Sequence, residues 1–260
     1  MSEIHPAAHI DPRAVIGENA VIGPGAAIGA GVELGDDCEV GPHAVLEGPA
    51  VIGAGCRIFP AAVIGTEGQM VDLEGSGGGI EIGPGTVVRE MVTIHRSIHE
   101  DKVTRVGEGC YLMTQSHVAH DCQLGDRVIL ANWIGLSGHV EVGNDSFLSG
   151  YVGVHQFVRV GEGVLLTGPN AVRKDVAPFT AVDGNPPRVR GLNMVGLRRR
   201  GVSGEVREHL KRAYQILFQE TKTVAEGMDR IEAELPLGRE IKSVVEFARA
   251  SKRGVYPGQV

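Results

Sequence analysis

The chain has 260 residues, 42% of them hydrophobic, and a net charge of −7, enough for one large domain or two small ones. The acidic balance argues against a nucleic-acid surface, and no apolar run of about 18 residues suggests a membrane span. No N-terminal signal pattern is present, and Cys38, Cys56, Cys110 and Cys122 lack C-x-x-C spacing, so a reduced, cytoplasmic protein is expected.

Residues 1–9 lead into a repeat that starts at Ile10 and places an aliphatic residue at every sixth position. Of the 28 positions from 10 to 172 in this register, 25 are Ile, Leu or Val, and Met70, Ser76 and Glu100 are the exceptions. Such a hexapeptide period marks a parallel β-helix. Three hexads make one coil of a triangular prism, so roughly 18 residues return the chain to the same face. Each aliphatic side chain points inward and stacks on its equivalent about 4.8 Å away. The 38 glycines are expected at corners where φ is positive, and the 4% aromatic content suits a thin core. Known repeats of this type coil left-handed, against the usual crossover rule.

Two stretches break the pattern: 66–79, which ends in Ser-Gly-Gly-Gly, and 97–105, where Glu100 falls on a core position. Both are read as loops leaving the prism, where function tends to sit. Repeat resumes at Val106 and ends at Val172. Asp183-Gly-Asn-Pro-Pro187 is a turn cluster, followed by a basic stretch from Arg188 to Arg200. Beyond it the period becomes helical. Ser203 is a predicted N-cap, Thr223-Val-Ala-Glu226 a capping box, and a last helix is predicted over 238–252. The expected architecture is mainly β: a left-handed parallel β-helix over 1–190, then a small α-helical domain over 191–260.

Within the repeat, Ser116 to Cys122 reads S-H-V-A-H-D-C. Steps of 18 place Gly138 and Gln156 in one column with His120, His139 beside Asp121, and His155 beside Ser137. A histidine-rich patch on an aliphatic scaffold is a candidate site.

The motifs V-T-I-H-R (92–96), H-V-A-H-D-C (117–122), L-S-G-H-V (136–140), V-H-Q-F (154–157), D-G-N-P (183–186) and G-L-R-R-R-G (196–201) carry a resemblance to the UDP-N-acetylglucosamine acyltransferases of lipid A synthesis. The resemblance spans nearly the whole chain. It implies transfer of a 3-hydroxyacyl group from acyl carrier protein to the sugar 3-position, without metal or other cofactor. His120 matches the general base, Asp121 its partner, and the Gly138 amide the oxyanion donor. His95, His117, His139, His155 and Gln156 match substrate-binding positions. Asn193 and Arg199 match nucleotide contacts, and Gly168 the acyl-chain ruler, its missing side chain implying room for a longer chain. The resemblance also implies a homotrimer with sites between subunits. A basic patch of Arg188, Arg190, Lys211 and Arg212 is expected to meet the acidic carrier protein.

Two departures bear on the acceptor. The family's first loop carries Gln-Asp-x-Lys, whereas this chain reads Gln69-Met70-Val71-Asp72, so the match stops at Gln69. A family glutamate beside the nucleotide is Val195 here. Either UDP-N-acetylglucosamine or its 3-amino analogue therefore fits as acceptor. Two other functions remain open at this point. One is a zinc-dependent carbonic anhydrase on the same fold, with His117, His120 and Cys122 as tempting ligands. The other is a non-catalytic assembly subunit.

Overall fold

The computed structural model describes residues 2–72 and 77–258. Short, mostly parallel strands pass in turn to three faces of a prism, which among the described residues carry eleven, nine and eight strands. Residues one coil apart pair in register: Ile22 with Val40, Ile28 with Leu46, and Ile16 with Leu34. The hexad thus becomes a column on each face. Its aliphatic members, from Ile22 to Val172, form one continuous buried core. Among the described residues no helix is long and apolar enough to cross a membrane. All four cysteines are free and buried.

The pattern breaks are insertions. Ile64 pairs with Ile94, thirty residues on rather than eighteen, which makes the first insertion twelve residues long. Ile94 pairs with Val118, twenty-four residues on, so the second adds six. Both are multiples of six, so the sequence keeps phase across them although the chain has left the prism. Glu100 and Met70, both in stretches read as loops leaving the prism, are exposed. Ser76 lies outside the described residues.

Glycine takes the expected left-handed corners at Gly25 (φ 68°), Gly55 (φ 66°) and Gly85 (φ 65°), and it has a second role. At positions such as Gly35 the glycine that follows the aliphatic residue serves close stacking. A Cβ on Gly35 would lie 2.6 Å from the Ala54 amide nitrogen of the next coil. The left-handed corner falls two residues later, and non-glycine residues often occupy it, including Asp121 (φ 60°), His139 (φ 59°) and Phe157 (φ 63°).

Thr180–Asp183 extends the first face and pairs antiparallel with Arg188–Leu192, the turn cluster lying between them. Four helices follow: α1 (Met194–Arg199), α2 (Gly204–Gln215), α3 (Val224–Glu234) and α4 (Arg239–Arg249). A π-helical turn, Ile216–Glu220, extends α2. Ser203 caps α2 by accepting from the Val206 amide, and Thr223 caps α3 by accepting from Glu226. The Glu226 carboxylate reaches back to the Lys222 amide at 3.2 Å, one residue before the position a capping box predicts. Leu210, Ile216, Ile231 and Ile241 form a second core against Phe179. Helix α1 had no periodic signal, being only six residues long. Nor had the last segment, in which buried Tyr256 packs on the prism core and accepts from the Arg173 amide at 2.7 Å.

Candidate functional site

His117–Val118 is a strand of the second face, and the chain turns a corner at Asp121. Val118 and Cys122 point inward and are fully buried, which puts the histidines on the outside. Four groups hold Asp121. Its amide donates to Thr104 Oγ1 at 2.7 Å, and Ser97 Oγ donates to Oδ1 at 2.5 Å. The Ile98 amide lies 3.4 Å from Oδ2, and His120 Nδ1 bonds the same oxygen at 2.8 Å. Ser97 and Ile98 belong to the second insertion. Burial pushes the Asp121 carboxyl up, but hydrogen bonds from Ser97, His120 and the Ile98 amide together hold it below the ordinary carboxylate range. The carboxylate is therefore ionised, and the hydrogen-bond network assigns the neutral imidazole proton of His120 to Nδ1.

That leaves the Nε2 lone pair of His120 facing Gly138. A Cβ on Gly138 would sit 2.6 Å from Nε2 and 2.5 Å from Cε1. Only a glycine lets the ring lie there. The Gly138 N–H donates to no protein acceptor among the described residues. A basic nitrogen thus lies against Gly138, whose amide has no acceptor among the described residues.

They open into a cleft of about 470 Å³ that brings together Gln69, His117, His120, Gly138, His139, His155 and Gln156 from the sequence-derived set. Met70, Ile98 and Phe157 supply apolar wall. A larger groove of about 760 Å³ runs between the prism and α4, but its central carboxylate, Glu162, is already bound by Arg200, Arg239 and Ser243. The chemistry therefore lies in the smaller cleft.

Each histidine has its own setting. His117 bonds Thr93 Oγ1 through Nδ1 at 2.7 Å. Burial first, then the neighbouring His95 and His120, push its pKa down to about 4, so it is neutral near pH 7. His139 stacks on Phe157 with ring centroids 4.6 Å apart and meets His120 edge-on. Burial lowers its pKa, against the opposing pull of Asp121. His155 is exposed, its Nδ1 3.2 Å from Arg253 of the C-terminal segment. His95 sits behind His117 and does not line the cleft. Its Nδ1 holds the first insertion through the Glu67 carbonyl at 2.5 Å, and its buried Nε2 has no protein partner.

Asn193, Arg199 and Gly168 also lie away from the cleft. Asn193 is the N-cap of α1: its Oδ1 accepts from the Gly196 amide at 2.9 Å and its Nδ2 donates to the Gly163 carbonyl at 3.0 Å. Within this chain the side chain is a buried structural joint. Arg199 is exposed on α1, while its neighbour Arg200 is held by Glu162 at 2.6 Å. A Cβ on Gly168 would lie 2.0 Å from the Gly150 carbonyl oxygen. Coil stacking alone therefore demands glycine there, and room for a longer acyl chain does not follow from its absent side chain.

Sequence reasoning missed Ser97, Ile98, Thr104 and Arg253. The first two sit in an insertion, where the period carries no register, and Arg253 arrives from the chain's far end. The zinc reading fails on geometry. Cys122 Sγ lies inside the prism, bonded to the Ser137 carbonyl at 3.2 Å, and cannot share an ion with the outward His117 and His120.

Comparison with known proteins shows the family. Residues 175–256 match the family profile described as UDP N-acetylglucosamine O-acyltransferase, domain 2, and residues 1–36 match the bacterial transferase hexapeptide profile. The acyl-[acyl-carrier-protein]–UDP-N-acetylglucosamine O-acyltransferase of Thermodesulfovibrio yellowstonii is 46% identical, over 82% of this chain and 83% of that protein. The enzyme of that name from Syntrophobacter fumaroxidans is 39% identical over 97% and 99%. The crystal structure of the UDP-N-acetylglucosamine acyltransferase from Bacteroides fragilis superposes with a TM-score of 0.94 at 37% identity, covering 97% and 99% of the two chains.

Proposed function

This chain belongs to the UDP-N-acetylglucosamine O-acyltransferase family and is an acyltransferase, and from that premise we propose how its cleft works. It transfers a 3-hydroxyacyl chain from acyl carrier protein to the 3-position of a UDP-linked glucosamine, the first step of lipid A synthesis. The observation that carries this reading is His120, backed by Asp121 at 2.8 Å and packed against Gly138, whose amide has no acceptor among the described residues.

His120 Nε2 takes the proton of the acceptor group as that group attacks the thioester carbonyl. Asp121 stabilises the imidazolium that forms. The carbonyl oxygen gains negative charge and receives the Gly138 N–H. Collapse breaks the carbon–sulfur bond, and the imidazolium returns its proton to the departing thiolate. Atoms and charge balance with the protein's own groups, with no cofactor and no acyl-enzyme. Neutral His117 and His139 serve as hydrogen-bonding walls for the acceptor sugar, joined by Gln69, His155 and Gln156.

Asn193, Arg199 and Gly168 act at a site completed by a second copy. The cleft's rim is open, and Trp133, Tyr151 and Phe157 expose large apolar area on the prism that a neighbouring copy would cover. A cyclic homotrimer of this kind has three equivalent sites. The enzyme works in the cytoplasm. Arg188, Arg190 and Lys211 are the carrier-protein patch. Arg212 leaves that patch, because Glu220 and Glu234 already bind it.

Met70 lines the cleft in place of the family's loop carboxylate, which favours the 3-amino sugar as acceptor. Mass spectrometry of product from acyl carrier protein with UDP-N-acetylglucosamine or its 3-amino analogue tests this, with His120→Ala as control. The variant is expected to lose about 100- to 10,000-fold in kcat with little change in KM. No transfer to either sugar by wild type, or a folded variant within threefold of it, would sink the reading.

A further inference from the structure

One histidine beside the cleft has no part in that reaction. His99, in the second insertion, places its ring 5.9 Å from that of His139, and no substrate role falls to it. A ring nitrogen of His99, a carboxylate oxygen of Asp121 and a ring nitrogen of His139 all lie within 4.8 Å of one another. His139 Nε2 approaches Asp121 Oδ2 at 3.9 Å, too far for a hydrogen bond and close enough for a shared ion. Among the described residues this is the only such group.

We propose that His99, Asp121 and His139 form a site for a divalent transition-metal ion, and that its occupancy switches the acyltransferase off. The donor set decides the class of ion. Two imidazoles and one carboxylate suit Zn²⁺, Co²⁺ or Ni²⁺, whereas Mg²⁺ and Ca²⁺ call for oxygen ligands throughout. Bonds of about 2.0–2.1 Å require the three ligand atoms to draw together by roughly 1 Å or more. The His99 side chain can do this, since it lies on an insertion outside the stacked coils.

The consequence follows from which oxygen is shared. Asp121 Oδ2 is the atom that accepts from His120 Nδ1. An ion on that oxygen competes with the hydrogen bond that orients the ring and draws off the charge that stabilises the imidazolium. Ser97 still holds Oδ1, so the carboxylate cannot turn to serve both. Metal binding and proton abstraction therefore exclude one another, and the inhibition is reversible by chelation. The switch rests on the proposed role of His120; the metal site does not.

The test uses the full-length untagged protein and two readouts. Co²⁺ is titrated with absorption and calorimetry, against wild type and His99→Ala. The backbone bonds of His99 survive that substitution, and the residue is absent from the proposed reaction. Wild type is expected to take one Co²⁺ per chain with the spectrum of nitrogen and oxygen ligation. His99→Ala should bind at least about tenfold more weakly. In the turnover assay Zn²⁺ should inhibit wild type, EDTA should restore it, and His99→Ala should keep basal activity and resist. Absent or non-saturable Co²⁺ uptake, or equal affinity in His99→Ala, would overturn the site. Equal Zn²⁺ inhibition of both proteins would overturn the switch. Co²⁺ binding lost with His99 in a protein inactive on both sugars would keep the site and fault only the assigned reaction.

Discussion

Gly138→Ala isolates geometry from chemistry. The new methyl would stand 2.5 Å from Cε1 and 2.6 Å from Nε2 of His120, where ordinary van der Waals separation is about 3.5 Å. The shortfall is therefore about 1 Å. His120 cannot absorb it freely. Asp121 holds Nδ1 at 2.8 Å, and Gly68 of the first insertion backs the ring so closely that its own Cβ would lie 3.1 Å from that of His120. Either the ring rotates and gives up its carboxylate, or it moves off the attack line. A displacement of 1 Å at a catalytic group costs roughly 100-fold. The Gly138 amide itself survives, so oxyanion binding is not what is removed. Nor is the fold, because Gly138 does not use the left-handed region and alanine fits its backbone. We therefore expect kcat to fall by about 100-fold, with a melting temperature within a few degrees of wild type. Steady-state turnover with saturating acyl donor and acceptor, alongside circular-dichroism melting, reads both. A folded variant that turns over within threefold of wild type would refute the placement of Nε2 against Gly138.

Ser97→Ala removes the donor to Asp121 Oδ1 and should lower kcat roughly tenfold with KM unchanged, while Ser97→Thr restores most of it; equal kcat for all three proteins would deny the insertion a positioning role. His117 has a folded pKa depressed to about 4 from 6.5, so stability is fully present above about pH 6.5 and declines as pH falls toward 4. An NMR titration in which the His117 ring charges with a midpoint above 6 would contradict its burial. Leu136→Ala empties a fully buried core position between Val118 and Val154 and should cost about 2–5 kcal/mol in urea unfolding. A loss below 1 kcal/mol would mean the column is looser than its pairing suggests.

Much of this protein was legible without coordinates, because its contacts are periodic. When every coil repeats the same path, sequence separation converts directly into spatial neighbourhood. Steps of eighteen from His120 and Asp121 were enough to find Gly138 and His139. The helix caps at Ser203 and Thr223 were legible for a related reason: a cap bonds an amide three residues away. What the tertiary structure decided lies where the period lapses. The insertions keep the phase of six while leaving the prism; Glu100 on a core register marked the second as a loop, but the period said nothing of Ser97 and Ile98, which grip Asp121. Asn193 matches a nucleotide contact, but only the fold shows that its side-chain amide also closes the start of α1 against Gly163. Likewise only the fold shows that the Gly150 carbonyl packs against Gly168. Tyr256 and Arg253 return from the chain's far end to the prism core and the cleft edge. Such contacts join residues with no repeating separation, so only the folded chain, by pairing most buried polar groups and keeping backbones from colliding, selects them.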